Sequence, residues 1–180
     1  MSKEEKGKMD GQRGTVRDYL TAAVCCAAAV LLDQVTKHLA VVHLKLQEEI
    51  VLIPGVFELR YLENRGAAFG LFQNRQMFFA AAAVIIFVLI GFFYGKIPGG
   101  RRFLPMRICA VLICAGAVGN LIDRIRFQYV VDFFYFSLID FPIFNVADCY
   151  AVVACFLFGY LILFFYKEEE LEWFALFKSK

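Results

Sequence analysis

MFFAAAAVIIFVLIGFFY at residues 77–94 and CYAVVACFLFGYLILFFY at residues 149–166 decide the fold. Neither stretch contains a charge. At about 1.5 Å of rise per residue, a helix of that length nearly crosses a hydrocarbon layer of roughly 30 Å. The rest of the chain agrees with this reading, since 61% of its 180 residues are hydrophobic, 21 of them Phe, and 20% are charged. A water-soluble domain holds about 45–50% apolar and about 25% charged residues. The surplus apolar surface calls for a bilayer, and a chain of this length forms one domain.

Two weaker runs complete the set. Residues 108–122 contain Asn120 as their only strongly polar side chain, and Arg107 can snorkel at the inner end. Residues 19–32 carry no charge, and residues 35–41 extend them past Asp33 and Lys37. A basic tail before a short apolar core also describes a secretory signal peptide, but DQVTK follows where a mature domain would begin with a linker, so a retained helix is expected. The predicted fold is an all-α polytopic membrane protein with four transmembrane helices, at about 19–40, 77–94, 105–122 and 149–166. Cytoplasmic tails are expected at 1–18 and 167–180. In the first outer loop, about 48–76, the β-formers of 50–53 and 56–62 flank Pro54-Gly55 and predict a small extracytoplasmic hairpin. The C-terminal tail mixes acids with Trp173, Phe174 and Phe177, as an interfacial segment does.

Charge placement orients the chain. Twelve cations (Lys3, Lys6, Lys8, Arg13, Arg17, Lys96, Arg101, Arg102, Arg107, Lys167, Lys178 and Lys180) would share one side. The other side would hold Lys37, Lys45, Arg60, Arg65, Arg75, Arg124 and Arg126, which makes seven. The richer side faces the cytoplasm, so both termini are expected inside. Asp33, Asn64, Asn120, Asp123, Asp132, Asn145 and Asp148 then gather at the outer ends of the helices, and polar groups concentrated at one level of a membrane protein mark a site. The net charge of +2 gives no polybasic footprint for nucleic acid.

Elimination narrows the chemistry. The three serines are Ser2 and Ser179 at the ends and Ser137 in the second outer loop, and a serine nucleophile would have to use Ser137, which has no adjacent base in sequence. The two histidines, His38 and His43, do not share a helical face and belong to no HExxH motif, so no metal is expected. The six cysteines lie in or beside apolar runs, where Cys packs as a small hydrophobe. Carboxylates remain: Asp33, Asp123, Asp132, Asp140 and Asp148. Two Asp side chains close together share one proton, so one can activate water while the other protonates the leaving group, with no cofactor. Some of these residues have structural uses instead: Asp33 with Lys37 at i,i+4, and Asp123 with Arg124, read as ion pairs. Composition and topology leave the choice among Asp123, Asp132 and Asp148 open.

Local strings add a resemblance. The chain reads DQVTK at 33–37, NRGAAF at 64–69, GNLIDR at 119–124, VVDF at 130–133 and FNVAD at 144–148. In this order, with four apolar spans, the set resembles bacterial lipoprotein signal peptidase (signal peptidase II) over all but the tails. The resemblance implies that Asp132 and Asp148 form a catalytic dyad and that Asp33, Lys37, Asn64, Gly66, Asn120, Asp123, Arg124 and Asn145 support or line the pocket. It also implies a bacterial inner-membrane aspartyl endopeptidase, a monomer, that cleaves diacylglyceryl-modified prolipoproteins just before the lipidated Cys, with membrane lipid around it. Family members commonly carry a Gly shortly before VVDF, whereas residues 126–129 read RFQY. Two other readings compete with this one. A small transporter using intramembrane Asp needs polar residues at helix centres, and those centres here are Ala, Val, Ile, Leu, Phe and Cys. A non-catalytic homologue has no need to keep both aspartates.

Overall fold

The computed structural model describes residues 15–66 and 76–174. Residues 1–14 of the expected N-terminal tail, residues 67–69 of NRGAAF, Arg75, and 175–180 of the C-terminal tail lie outside the described residues.

Four helices are long and apolar enough to cross a membrane. Helix α1 (Val16–Leu44) opens with a capping box between Thr15 and Asp18. It starts earlier and ends later than the charge-free run, because Asp33 and Lys37 sit inside the helix as a buried pair, with Lys37 Nζ 3.0 Å from Asp33 Oδ2. Helix α2 spans Gln76–Tyr94, and α3 (Leu104–Phe127) follows a 3-10 turn at Arg101–Phe103. Pro105 lies in the first turn of α3, where its missing N–H costs nothing. Helix α4 (Val146–Tyr160) runs on as a π turn, Leu161–Phe165. α3 is the hub and packs against α1, α2 and α4. Small residues permit this: a Cβ on Gly116 would lie 2.6 Å from Ala147 O, and one on Gly119 would lie 2.5 Å from Asp33 Oδ2.

The expected hairpin forms as β1 (Ile50–Ile53) and β2 (Phe57–Asn64), turning through Gly55 at φ 68°. A third strand, β3 (Val130–Tyr135), was not expected; it pairs antiparallel with β2 to complete the sheet order β1-β2-β3. Its run VVDFFY is buried over its first four residues, so it lacks the alternation that announces a half-exposed strand. Phe144 then bridges back to Phe134, donating to Phe134 O at 3.0 Å and accepting from Phe134 N at 2.8 Å. This return brings the start of α4 against β3.

Candidate functional site

Asp132 sits opposite Leu62 in the β2–β3 register, and Asn64 lies two residues further along β2 on the same face. Asn64 Nδ2 accordingly donates to Asp132 Oδ2 at 2.8 Å. Asp148 is the third residue of α4 and closes its capping box: Asn145 N donates to Asp148 Oδ2 at 3.1 Å, and Asp148 N donates to Asn145 Oδ1 at 3.0 Å. The cap that starts the helix therefore also fixes one carboxylate of the site.

Two side-chain amides join the carboxylates. Asn145 Nδ2 donates to Asp132 Oδ1 at 2.6 Å and to Asn120 Oδ1 at 3.1 Å. Asn120 Nδ2 donates to Asp148 Oδ1 at 2.9 Å. Each of the four carboxylate oxygens thus accepts an N–H, two of them from Asn145.

Behind this layer lies a buried charge cluster. Lys37 Nζ reaches Asp33 Oδ2 at 3.0 Å, Asp123 Oδ2 at 3.1 Å and Asn120 Oδ1 at 2.9 Å. Asp33 Oδ1 accepts from Ala147 N at 2.9 Å, and Asp123 Oδ2 accepts from Val131 N at 3.1 Å. Those two backbone amides immediately precede Asp148 and Asp132. Gln34, absent from the sequence-derived site, donates from Nε2 to Asp33 Oδ2, Asp123 Oδ1 and Gly119 O. A polar side chain next to Asp33 in the DQVTK string was the available signal. Gly66 is buried and donates to Asn64 Oδ1 at 3.0 Å.

One expected pairing is corrected. Asp123 bonds to Lys37, not to Arg124, because consecutive helical residues point in different directions. The Arg124 guanidinium instead donates to Asn120 O at 3.3 Å, lies 4.9 Å from the centre of the Phe79 ring, and lines the cavity described next.

Asp132 and Asp148 line one cavity of about 590 Å³ with Asn64, Asn120 and Arg124. The remaining wall is apolar, including Phe79, Phe144, Val152 and Val153. Burial pushes the Asp132 carboxyl up to about 7, the Asp148 carboxylate adds to the rise, and donation from Asn64 and Asn145 opposes it. A carboxyl that titrates near neutrality beside a second one can hold a proton while its neighbour accepts one. Among the described residues no group of three or more His, Cys, Asp or Glu is placed to hold a metal. The site thus brings together, in two layers, every residue that the resemblance implies, whereas the candidate carboxylate Asp140 lies apart, exposed and accepting from Tyr135 Oη at 2.7 Å.

The family profile described as "Signal peptidase (SPase) II" matches residues 25–164. Lipoprotein signal peptidase of Streptococcus thermophilus is 42% identical over 146 residues, covering 81% of this chain and 92% of the relative. That of Clostridium tetani is 42% identical over 146 residues, covering 79% and 90%. That of Symbiobacterium thermophilum is 44% identical over 147 residues, covering 80% and 95%. Two bacterial membrane enzymes solved by the in meso method, at 2.3 and 1.9 Å, superpose with TM-scores of 0.73. They are 28% and 29% identical to this chain, cover 94% and 85% of it, and are themselves covered to 96% and 97%.

Proposed function

The chain belongs to the signal peptidase II family, and from that premise we propose that it is an aspartyl endopeptidase whose catalytic pair is Asp132 and Asp148. At the level the family fixes, it is a bacterial membrane protease that removes signal peptides from prolipoproteins. The observation that carries the finer reading is the shared cavity: both carboxylates line it, and each is held by two N–H donors.

The chemistry follows from two acids in one poorly hydrated pocket. One proton is divided between them at neutral pH. The ionised member takes a proton from a water as its oxygen bonds to the scissile carbonyl carbon. The protonated member donates to the carbonyl oxygen, and collapse of the tetrahedral intermediate then breaks the C–N bond with a proton delivered to the leaving amine. Arg124 adds a positive charge at the cavity wall. Asp33, Lys37, Asn64, Gly66, Asn120, Asp123 and Asn145 hold the pair in place.

The apolar wall suits a substrate that brings hydrocarbon with it, which fits a prolipoprotein whose Cys carries a diacylglyceryl group. The site end of the bundle faces outward on the positive-inside rule, because the cation-rich elements all belong to the opposite end. There Arg107 pairs with Asp18 at 3.4 Å and Arg102 pairs with Glu170 at 3.0 Å. Both termini are then cytoplasmic.

A lipidated precursor peptide supplied to purified enzyme in lipid tests the reading. Asp132→Asn and Asp148→Asn should each lower cleavage by at least about 10³-fold while leaving the protein folded. Processing at the wild-type rate by either variant overturns the assignment.

A further inference from the structure

Lys37 is almost fully buried and does not line the cavity, yet all of its donors are committed. An ammonium has three N–H groups and no acceptor; here they serve Asp33, Asp123 and Asn120. The third contact has a directional consequence. Because Lys37 can only donate, Asn120 must turn its oxygen toward it, and this aims the amide N–H at Asp148 Oδ1. Asn145 supports the same orientation by donating to Asn120 Oδ1. The amide of Asn145 is itself fixed, since the backbone N–H of Asp148 can only donate to its oxygen. A flipped Asn120 would set its carbonyl against a carboxylate and its NH₂ against an ammonium, two repulsive contacts in a low-dielectric interior.

We propose that Lys37 is a positioning residue for the reaction: it acts through Asn120, locking that amide as a donor to Asp148 so that the second carboxylate keeps one geometry during turnover. The inference rests on the peptidase reading. Asp33 and Asp123 complete the device. They clamp the ammonium from α1 and α3, and their remaining bonds go to Ala147 N and Val131 N, one residue before each member of the pair. The lysine is thereby registered to the same backbone that carries the carboxylates.

The test is a double-mutant cycle on cleavage of the lipidated precursor peptide, with Lys37→Met, Asn120→Ala and their combination, reading kcat and KM separately. If Lys37 acts through Asn120, each single change lowers kcat by about 10- to 100-fold with KM within about twofold, and the double variant falls no more than about twofold below the worse single variant. Losses that multiply in the double variant overturn the relay. Lys37→Met leaves Asp33 and Asp123 without a counterion, so a charge-matched partner, Lys37→Met with Asp123→Asn, preserves the cluster's net charge and keeps the test open should the single variant unfold. Wild-type kcat in the folded charge-matched variant also overturns the proposal. Asp132→Asn and Asp148→Asn run beside the cycle: activity retained there defeats the assignment of the catalytic pair on which the inference rests, whereas multiplying losses with both of those variants dead defeat only the role of Lys37.

Discussion

The two ends of α3 bury charge in opposite ways. At the site end, Asp123 and Lys37 belong to a closed set in which every Lys37 donor has an acceptor and each aspartate also takes a backbone N–H. At the opposite end, Arg107 is just as hidden, but its partner Asp18 is 40% exposed, its other bonds go to the carbonyls of Ile97 and Pro98, and its Nε has no partner among the described residues. Backbone spacing follows the same division. Gly116 and Gly119 hold the site half of α3 in contact with α4 and Asp33, while a Cβ on Gly91, in the other half of the bundle, would meet nothing within 4 Å among the described residues. The difference separates geometry that must be fixed from charge that must only be tolerated. A closed network resists reorganisation, which a reacting pair of carboxylates needs. A half-exposed pair at a membrane boundary only anchors.

Adding one methyl group is the sharpest way to break this contrast. In Gly119→Ala the new Cβ would lie 2.5 Å from Asp33 Oδ2 and 3.3 Å from Ala147 Cβ, and both belong to packed groups. Cleavage of the precursor peptide should fall by about 100-fold or more, with thermal stability lowered by about 1–3 kcal/mol. The Cβ of Gly91→Ala meets no described residue within 4 Å, and the change should leave both quantities near wild type. Equal effects from the two changes would abolish the distinction.

Titration sharpens it next. The folded state raises Asp132 from 3.8 to about 7, so between those values the folded protein binds a proton that the unfolded chain has released. That contribution to stability is full below about 4 and declines as pH rises through about 7. Activity should fall over the same upper limb as the shared proton leaves. Thermal melts from pH 4 to 8 should therefore slope downward in the wild type and flatten in Asp132→Asn. A profile of Asp132→Asn identical to wild type would place the titration elsewhere.

The smallest expected effect concerns the turn that delivers β3. Gln128 caps α3 in the left-handed region at φ 63°, where glycine is at ease and most other residues are strained. The Gln128 side chain offsets part of the cost by donating to Arg124 O at 3.1 Å. Gln128→Gly should stabilise the protein by about 0.5 kcal/mol and leave kcat unchanged. A lowered melting temperature would show that the side-chain bond outweighs the strain.

Much of the architecture is legible in the sequence. The apolar runs at 77–94 and 149–166 require a bilayer, and Pro54-Gly55 between β-formers requires a turn. The first helix was harder to read, because Asp33 and Lys37 interrupt a run of only moderate length. In the fold they neutralise each other inside α1, and the helix passes through them to Leu44. β3 escaped notice because a strand buried on both faces shows no period of two. Gln34 escaped because one amide can serve three acceptors only when α1 and α3 lie side by side.

The sequence alone determined that this chain lives in a membrane, that four of its segments cross, and which polar side chains are too costly to turn toward lipid. Hydrophobicity summed over a span does not depend on what the span touches, so composition is enough for that. Which charge meets which was settled only by the tertiary structure. Asp123 stands beside Arg124 in the chain, yet the helix turns the two apart, and Lys37, 86 residues away in sequence, makes the contact. Ion pairs depend on distances of a few ångströms and on direction, and only the packing of α1 against α3, made possible by Gly119, sets these.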